Sequence, residues 1–133
     1  MNNKHNVSIQ MESVWDGETT LQIAEGVLYE TSDSWFLRYE EPDHDQGVIT
    51  ATIKFTQDQI KLMRRGAVES DMTFEVGTVH EGFYTTPLIH MELQTAASEI
   101  HVKLQEGNGS LAWSYLLNID DSSSMRHVTV LIS

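Results

Sequence analysis

Apolar residues recur at every second position over most of this chain, and no stretch carries the three-and-four spacing of an amphipathic helix. A period of two marks strands with one buried face, because successive side chains of a pleated ribbon point to opposite sides. Only two prolines interrupt the pattern. It predicts an all-β protein with strands near 6–14, 20–31, 35–41, 48–55, 59–65, 67–76, 78–85, 88–95, 99–106, 111–119 and 125–132. No linker or low-complexity segment divides them, so the 133 residues read as one domain, 1–133. The connections are short except for the acidic "EEPDHDQG" at 40–47.

Turn chemistry and alternation together suggest a register for the C-terminal half. Asn108-Gly109 suits the two positive-φ positions of a type I′ turn, which sets Leu104 opposite Trp113, Val102 opposite Tyr115 and Ile100 opposite Leu117. A tighter connection at Ala96-Ala97 aligns Leu93 with Ile100, Met91 with Val102 and Ile89 with Leu104, and brings Glu92 opposite His101. After "DDSSS", Val128, Val130 and Ile132 continue the apolar layer beside Leu117, Tyr115 and Trp113. A meander this long leaves two exposed edges unless it closes, so an antiparallel barrel of about eight to ten strands is the economical architecture.

The middle of the chain resembles the YwiB-like family of small bacterial proteins, a domain of unknown function. The residues that carry the likeness are "RYEE" (38–41), "TIKF" (52–55), Arg64 with Gly66, "ESDMTFEVG" (69–77), "YTTP" (84–87), Met91 and Thr95, with "YLLNI" (115–119) also similar. Where that family tends to have glycine after the Thr-Pro pair, this chain has "LIH" (88–90). The resemblance implies a calycin-like (lipocalin-like) barrel and a cytoplasmic setting. It supplies no activity and no catalytic residues.

Composition narrows the function classes. The absence of cysteine excludes disulfides, thiolate metal sites and cysteine nucleophiles. "MNNKHNVSIQ" lacks the basic-then-apolar form of a secretory signal, and no apolar run is long enough for a membrane helix, which again suggests a cytoplasmic protein. A formal charge of −12 repels nucleic acid and anionic membrane surfaces. Yet four of the eight basic residues, Lys54, Lys61, Arg64 and Arg65, fall within one short window, where an anionic group could be held.

Strand parity then nominates inward polar residues. Val68, Ser70, Met72, Phe74 and Val76 share a face, as do Ile60, Leu62 and Arg64, and Leu21, Ile23, Glu25, Val27 and Tyr29. On this reading Arg64, Glu25 and Ser70 enter the interior beside Met72, Phe74, Trp35 and Trp113, with Tyr84 near the rim. An interior guanidinium binds a carboxylate or phosphate through two parallel hydrogen bonds. The simpler account is structural: Gly26 and Gly66 are natural bulge positions that re-aim their neighbours, or Arg64 and Glu25 pair with each other.

Six histidines raise a metal hypothesis, but cross-strand pairing of His101 with Glu92 explains the one suggestive cluster, and "DHD" at 43–45 reads as a solvated loop. His5 reads as part of a tail. No phosphate-cradling glycine loop is present, no cofactor is expected, and a set such as Ser70, His80 and Glu25 has no geometry to support nucleophilic catalysis. The leading expectation is a non-enzymatic barrel that binds a small amphipathic or anionic ligand inside or at its mouth. The rival is a packed barrel that binds a protein partner through its outside, with Phe36 exposed beside Arg38 and Glu40. An enzyme acting on a small substrate is the third.

Overall fold

A computed structural model describes residues 3–41 and 47–133. Ten strands form a closed antiparallel meander: β1 (Lys4–Trp15), β2 (Glu18–Glu30), β3 (Trp35–Glu40), β4 (Ile49–Phe55), β5 (Gln59–Gly66), β6 (Glu69–Glu75), β7 (Val79–Thr85), β8 (His90–Gln105), β9 (Asn108–Ile119) and β10 (Ser122–Ile132). Each strand pairs with its neighbour in sequence, and β10 returns to β1. No helix among the described residues is long and apolar enough to cross a membrane.

The turns explain why the chain reverses where it does. Asp16-Gly17 (φ 49° and 77°) and Glu106-Gly107 (φ 53° and 81°) each place two left-handed residues between paired strand ends, the geometry whose twist matches that of a hairpin. Asp120, at φ 53°, begins the corresponding turn between Ile119 and Ser122. Thr86 closes the β7–β8 turn by accepting the Leu88 and Ile89 amides on its hydroxyl.

Ile9, Leu28, Leu37, Ile53, Phe55, Ile60, Phe74, Leu111, Trp113 and Val130 are buried in the interior. Phe74 stands at the centre of an aromatic group, 5.4 Å from Trp113 and 4.4 Å from Tyr115, in tilted arrangements that favour ring edges against ring faces. Trp35 stacks on Phe55 at 5.5 Å and donates its indole N–H to Glu30.

Several expected pairings are corrected. The C-terminal hairpin turns at Glu106-Gly107, so Ile100 faces Trp113, Val102 faces Leu111 and Leu104 faces Gly109. β10 is displaced similarly, with Val128 opposite Trp113 and Val130 opposite Leu111. In both hairpins the turn moves by two residues and each cross-strand partner by four, which leaves every side chain on its expected face; alternation alone does not distinguish such registers. Ala96-Ala97 is no turn. β8 runs straight through it, with a shift in register between Ala97 and Glu99. Glu92 therefore lies opposite Phe83, and His101 instead sits 3.7 Å from Glu99 on the exposed face. His5 belongs to β1.

The barrel wall is uneven. β1 and β2 pair along twelve positions, but β3 joins β2 only from Gly26–Tyr39 to Glu30–Trp35. Gly26 permits that approach: a Cβ there would stand 2.6 Å from the Arg38 carbonyl and 2.7 Å from Ile9 Cδ1. It keeps regular pairing on both sides and is not a bulge. Likewise β6 pairs with β7 at only three positions, and Thr95 of β8 covers the remainder by donating its hydroxyl to the Thr73 carbonyl.

Candidate functional site

Because strand direction alternates, the Asp16-Gly17, β3–β4, β5–β6, β7–β8 and β9–β10 connections gather at one end of the barrel. A cavity of about 450 Å³ opens near this end. Its apolar lining includes Met11, Leu62, Met72, Phe74, Trp113 and Val128, and its polar lining includes Glu41, Arg64 and Arg126. On one side it is bounded by Thr20, Leu21 and Gln22 of β2, and on the other by Tyr39 and Glu41. It therefore lies against the length of β2 that β3 does not reach.

Arg64 points inward, as its parity with Ile60 and Leu62 predicts. Its partner is Glu41. Nε meets Oε2 at 2.6 Å and Nη2 meets Oε1 at 2.7 Å, and the carboxylate-bearing side chain is only 6% exposed. Arg64 lies opposite Ala51 on β4, and Ala51 lies opposite Tyr39 on β3, so a small residue separates the arginine from the strand that carries Glu41. Burial lowers the affinity of the guanidinium for its proton, but the hydrogen bonds and charge of Glu41 outweigh it, and Arg64 titrates above its ordinary value. On its other side Arg64 pairs with Ser70, which pairs with Tyr84, and the guanidinium carbon sits 6.0 Å from the Tyr84 ring centre. Ser70 is fully buried and its hydroxyl has no hydrogen-bond partner.

Arg126 is the second inward arginine. It shares a face with Val128, Val130 and Ile132, lies opposite Trp15 and Tyr115, and places its guanidinium carbon 4.3 Å from the Trp15 ring centre. Its buried Nε has no hydrogen-bond partner, and no carboxylate among the described residues forms an ion pair with it. The indole N–H of Trp113, on the same cavity wall, is also buried and unpartnered. Burial pushes the Tyr115 hydroxyl above its usual range, and the adjacent Arg126 acts in the opposite direction.

Of the residues nominated from sequence, Arg64, Met72, Phe74 and Trp113 line one cavity, and Ser70 and Tyr84 adjoin it through Arg64. Glu25 does not belong there. Its face of β2 is the outer one: Leu21 and Ile23, which share it, are exposed, while Leu28, three residues on and on the opposite face, is buried. Glu25 instead accepts the Ser8 hydroxyl across the β1–β2 ladder. Trp35 lies at the opposite end of the barrel among Glu30 and Phe55. The paper assembly Ser70, His80 and Glu25 is not brought together, since His80 binds Glu75 at 2.9 Å and Glu25 is outside. Phe36 is outward but half-buried, with the Lys54 ammonium 5.5 Å from its ring centre. "DHD" and most of the 40–47 loop lie outside the described residues.

The basic window is thus spent mainly on structural contacts, with Lys54 over Phe36, Arg64 on Glu41, and Arg65 at 2.8 Å from Asp71. Parity did carry a signal for the two residues missed: Leu37, Tyr39 and Glu41 alternate, as do Arg126, Val128 and Val130. A second, open groove on the outside, lined by Glu81, His90, Glu92 and Asp120 among others, lacks the enclosure of the interior cavity. Among the described residues no three histidine, aspartate or glutamate side chains converge on a cation position.

Known proteins share this architecture. The uncharacterized β-barrel protein YwiB of Bacillus subtilis (strain 168) is 24% identical over 125 residues, 91% of this chain and 87% of that protein. The crystal structure of the ywiB protein from Bacillus subtilis superposes with a TM-score of 0.89 at 23% identity, covering all of this chain and 94% of the other. Residues 5–131 match the family model described as a domain of unknown function (DUF1934), and the chain belongs to that family.

Proposed function

We propose that the protein is a non-enzymatic, calycin-like binder of a small amphipathic anion, working in the cytoplasm. The observation that carries this reading is Arg126: an inward arginine without a carboxylate partner among the described residues, on the wall of a cavity of about 450 Å³ otherwise rich in methionine, leucine and aromatic side chains. A half-buried cation with a buried, unpartnered Nε gains from a counter-charge, and a ligand anion supplies one. Arg64 is already neutralised by Glu41, so among the described residues that line the cavity Arg126 is the charge left unpaired, in a chain of net charge −12. The unpartnered Trp113 N–H offers a second donor to an acceptor group, and Met11 and Met72 provide an adaptable apolar wall. The cysteine-free composition agrees with a reducing compartment.

The test is a titration with 8-anilinonaphthalene-1-sulfonate, an apolar anion with one charge. Binding to the wild-type protein that weakens at least ten-fold in Arg126→Leu, at an unchanged melting temperature, supports the reading. Equal binding by both proteins, or none by either, overturns it. Native mass spectrometry of protein purified from its own host would then identify the bound molecule by the mass lost on denaturation.

A further inference from the structure

Among the described residues β2 between Glu18 and Ala24 has a strand on one side only, and we infer that its other side pairs with the same segment of a second copy of this chain. β3 reaches β2 only from Gly26 onward, so residues 18–24 pair with β1 and with no other described strand. Peptide groups of successive strand residues point alternately to the two sides. Glu30 donates to the Asn3 carbonyl, and the β1–β2 register is uninterrupted, so the even-numbered residues of β2 face β1. The odd-numbered Thr19, Leu21 and Ile23 therefore turn their N–H and C=O groups toward the open edge.

This segment, "ETTLQIA", lacks the features that usually protect an edge: it has no lysine, proline or bulge. Its outward side chains are apolar instead, with Leu21 54% and Ile23 65% exposed. Leu21 is the midpoint of Glu18–Ala24, and a two-fold axis through it maps the segment onto itself antiparallel. Leu21 then meets the partner's Leu21, Thr19 meets the partner's Ile23, and Glu18 meets the partner's Ala24. Every facing pair shares one side of the sheet, the paired odd residues are those with open peptide groups, and no glutamate faces another. The four leucine and isoleucine side chains form one apolar cluster across the seam, and the pairing stops short of β3 in both copies. A same-surface contact of this kind is what a two-fold dimer requires. Because Thr20, Leu21 and Gln22 also border the cavity, the partner strand would lie along its opening.

Sedimentation equilibrium across a wide concentration range tests the inference. The wild-type protein is expected to approach twice the 15.1 kDa chain mass as concentration rises. Leu21→Pro removes only a donor that faces away from β1, and Ile23→Lys puts a charge on the edge; both are expected to remain monomeric. Leu131→Lys changes an exposed apolar residue on β10, which is paired on both sides, and is expected to dimerise like the wild type. Monomeric wild-type protein throughout, or dimers that survive both edge substitutions, or dimers abolished equally by Leu131→Lys, would each overturn the inference. Circular dichroism melting separates a lost contact from a misfolded barrel, since either edge variant that keeps its melting temperature suffices for the test.

Discussion

Arg64 reaches across β4 to grip Glu41 with two hydrogen bonds of 2.6 and 2.7 Å, and the residue it passes over is Ala51. The pair joins β5 to the end of β3 beside the cavity. A buried pair of this kind gives little net stability over an apolar replacement, but removing one partner strands the other charge.

Arg64→Met is therefore expected to destabilise the fold by about 2–4 kcal/mol, because it leaves the Glu41 carboxylate buried alone. Adding Glu41→Leu to that variant is expected to restore most of the loss. Urea unfolding of the two singles and the double gives the coupling energy, and strictly additive losses would show that the pair does not behave as one unit.

The two buried tyrosines set the alkaline limit. Burial, and the negative charge of Glu41, push the Tyr39 hydroxyl well above its usual range despite Arg64, and burial raises Tyr115 as well. In the unfolded chain both titrate near pH ~10. Their contribution is fully present below that pH and is lost as the pH rises from there toward the folded-state values, because only the unfolded chain gives up the protons. Stability measured from pH 8 upward is expected to fall beyond pH ~10, and to fall less steeply in Tyr39→Phe and Tyr115→Phe. A slope identical in all three proteins would contradict this.

Ser70 has a fully buried hydroxyl without a partner. Ser70→Ala removes the unsatisfied group and almost no volume, so the expected result is a gain of about 0.5–1 kcal/mol, or a few degrees in melting temperature. A clear loss would mean that the hydroxyl is bonded in solution.

Glu106 holds a left-handed φ of 53° before Gly107, in the turn whose position was misassigned. Asparagine tolerates that conformation better than glutamate, so Glu106→Asn is expected to add about 0.5–1 kcal/mol by thermal melting. The same gain from stiffening 108–109 instead would return the turn to Asn108-Gly109.

Alternation in the chain was sufficient for the all-β class, the closed meander, and the inward placement of Arg64, Ser70, Met72, Phe74 and Trp113, since a pleated strand with one buried face permits only one phase. It failed for Glu25. Leu21, Ile23, Val27 and Tyr29 read as a core stripe, yet β2 turns that stripe outward and buries Leu28 on the other side. The phase of an amphipathic strand names two faces, and only its neighbours decide which one meets the core. Register within a parity was also beyond the sequence, because the four-residue slides of cross-strand partners in the β8–β9 and β9–β10 ladders keep every apolar residue inside. The pairing of Arg64 with Glu41, and among the described residues the lack of an ion-pair partner for Arg126 and the one-sided pairing of β2 before Gly26, all depend on contacts between strands distant in sequence. Local pattern fixes which way a side chain points; the closure of ten strands fixes what it points at.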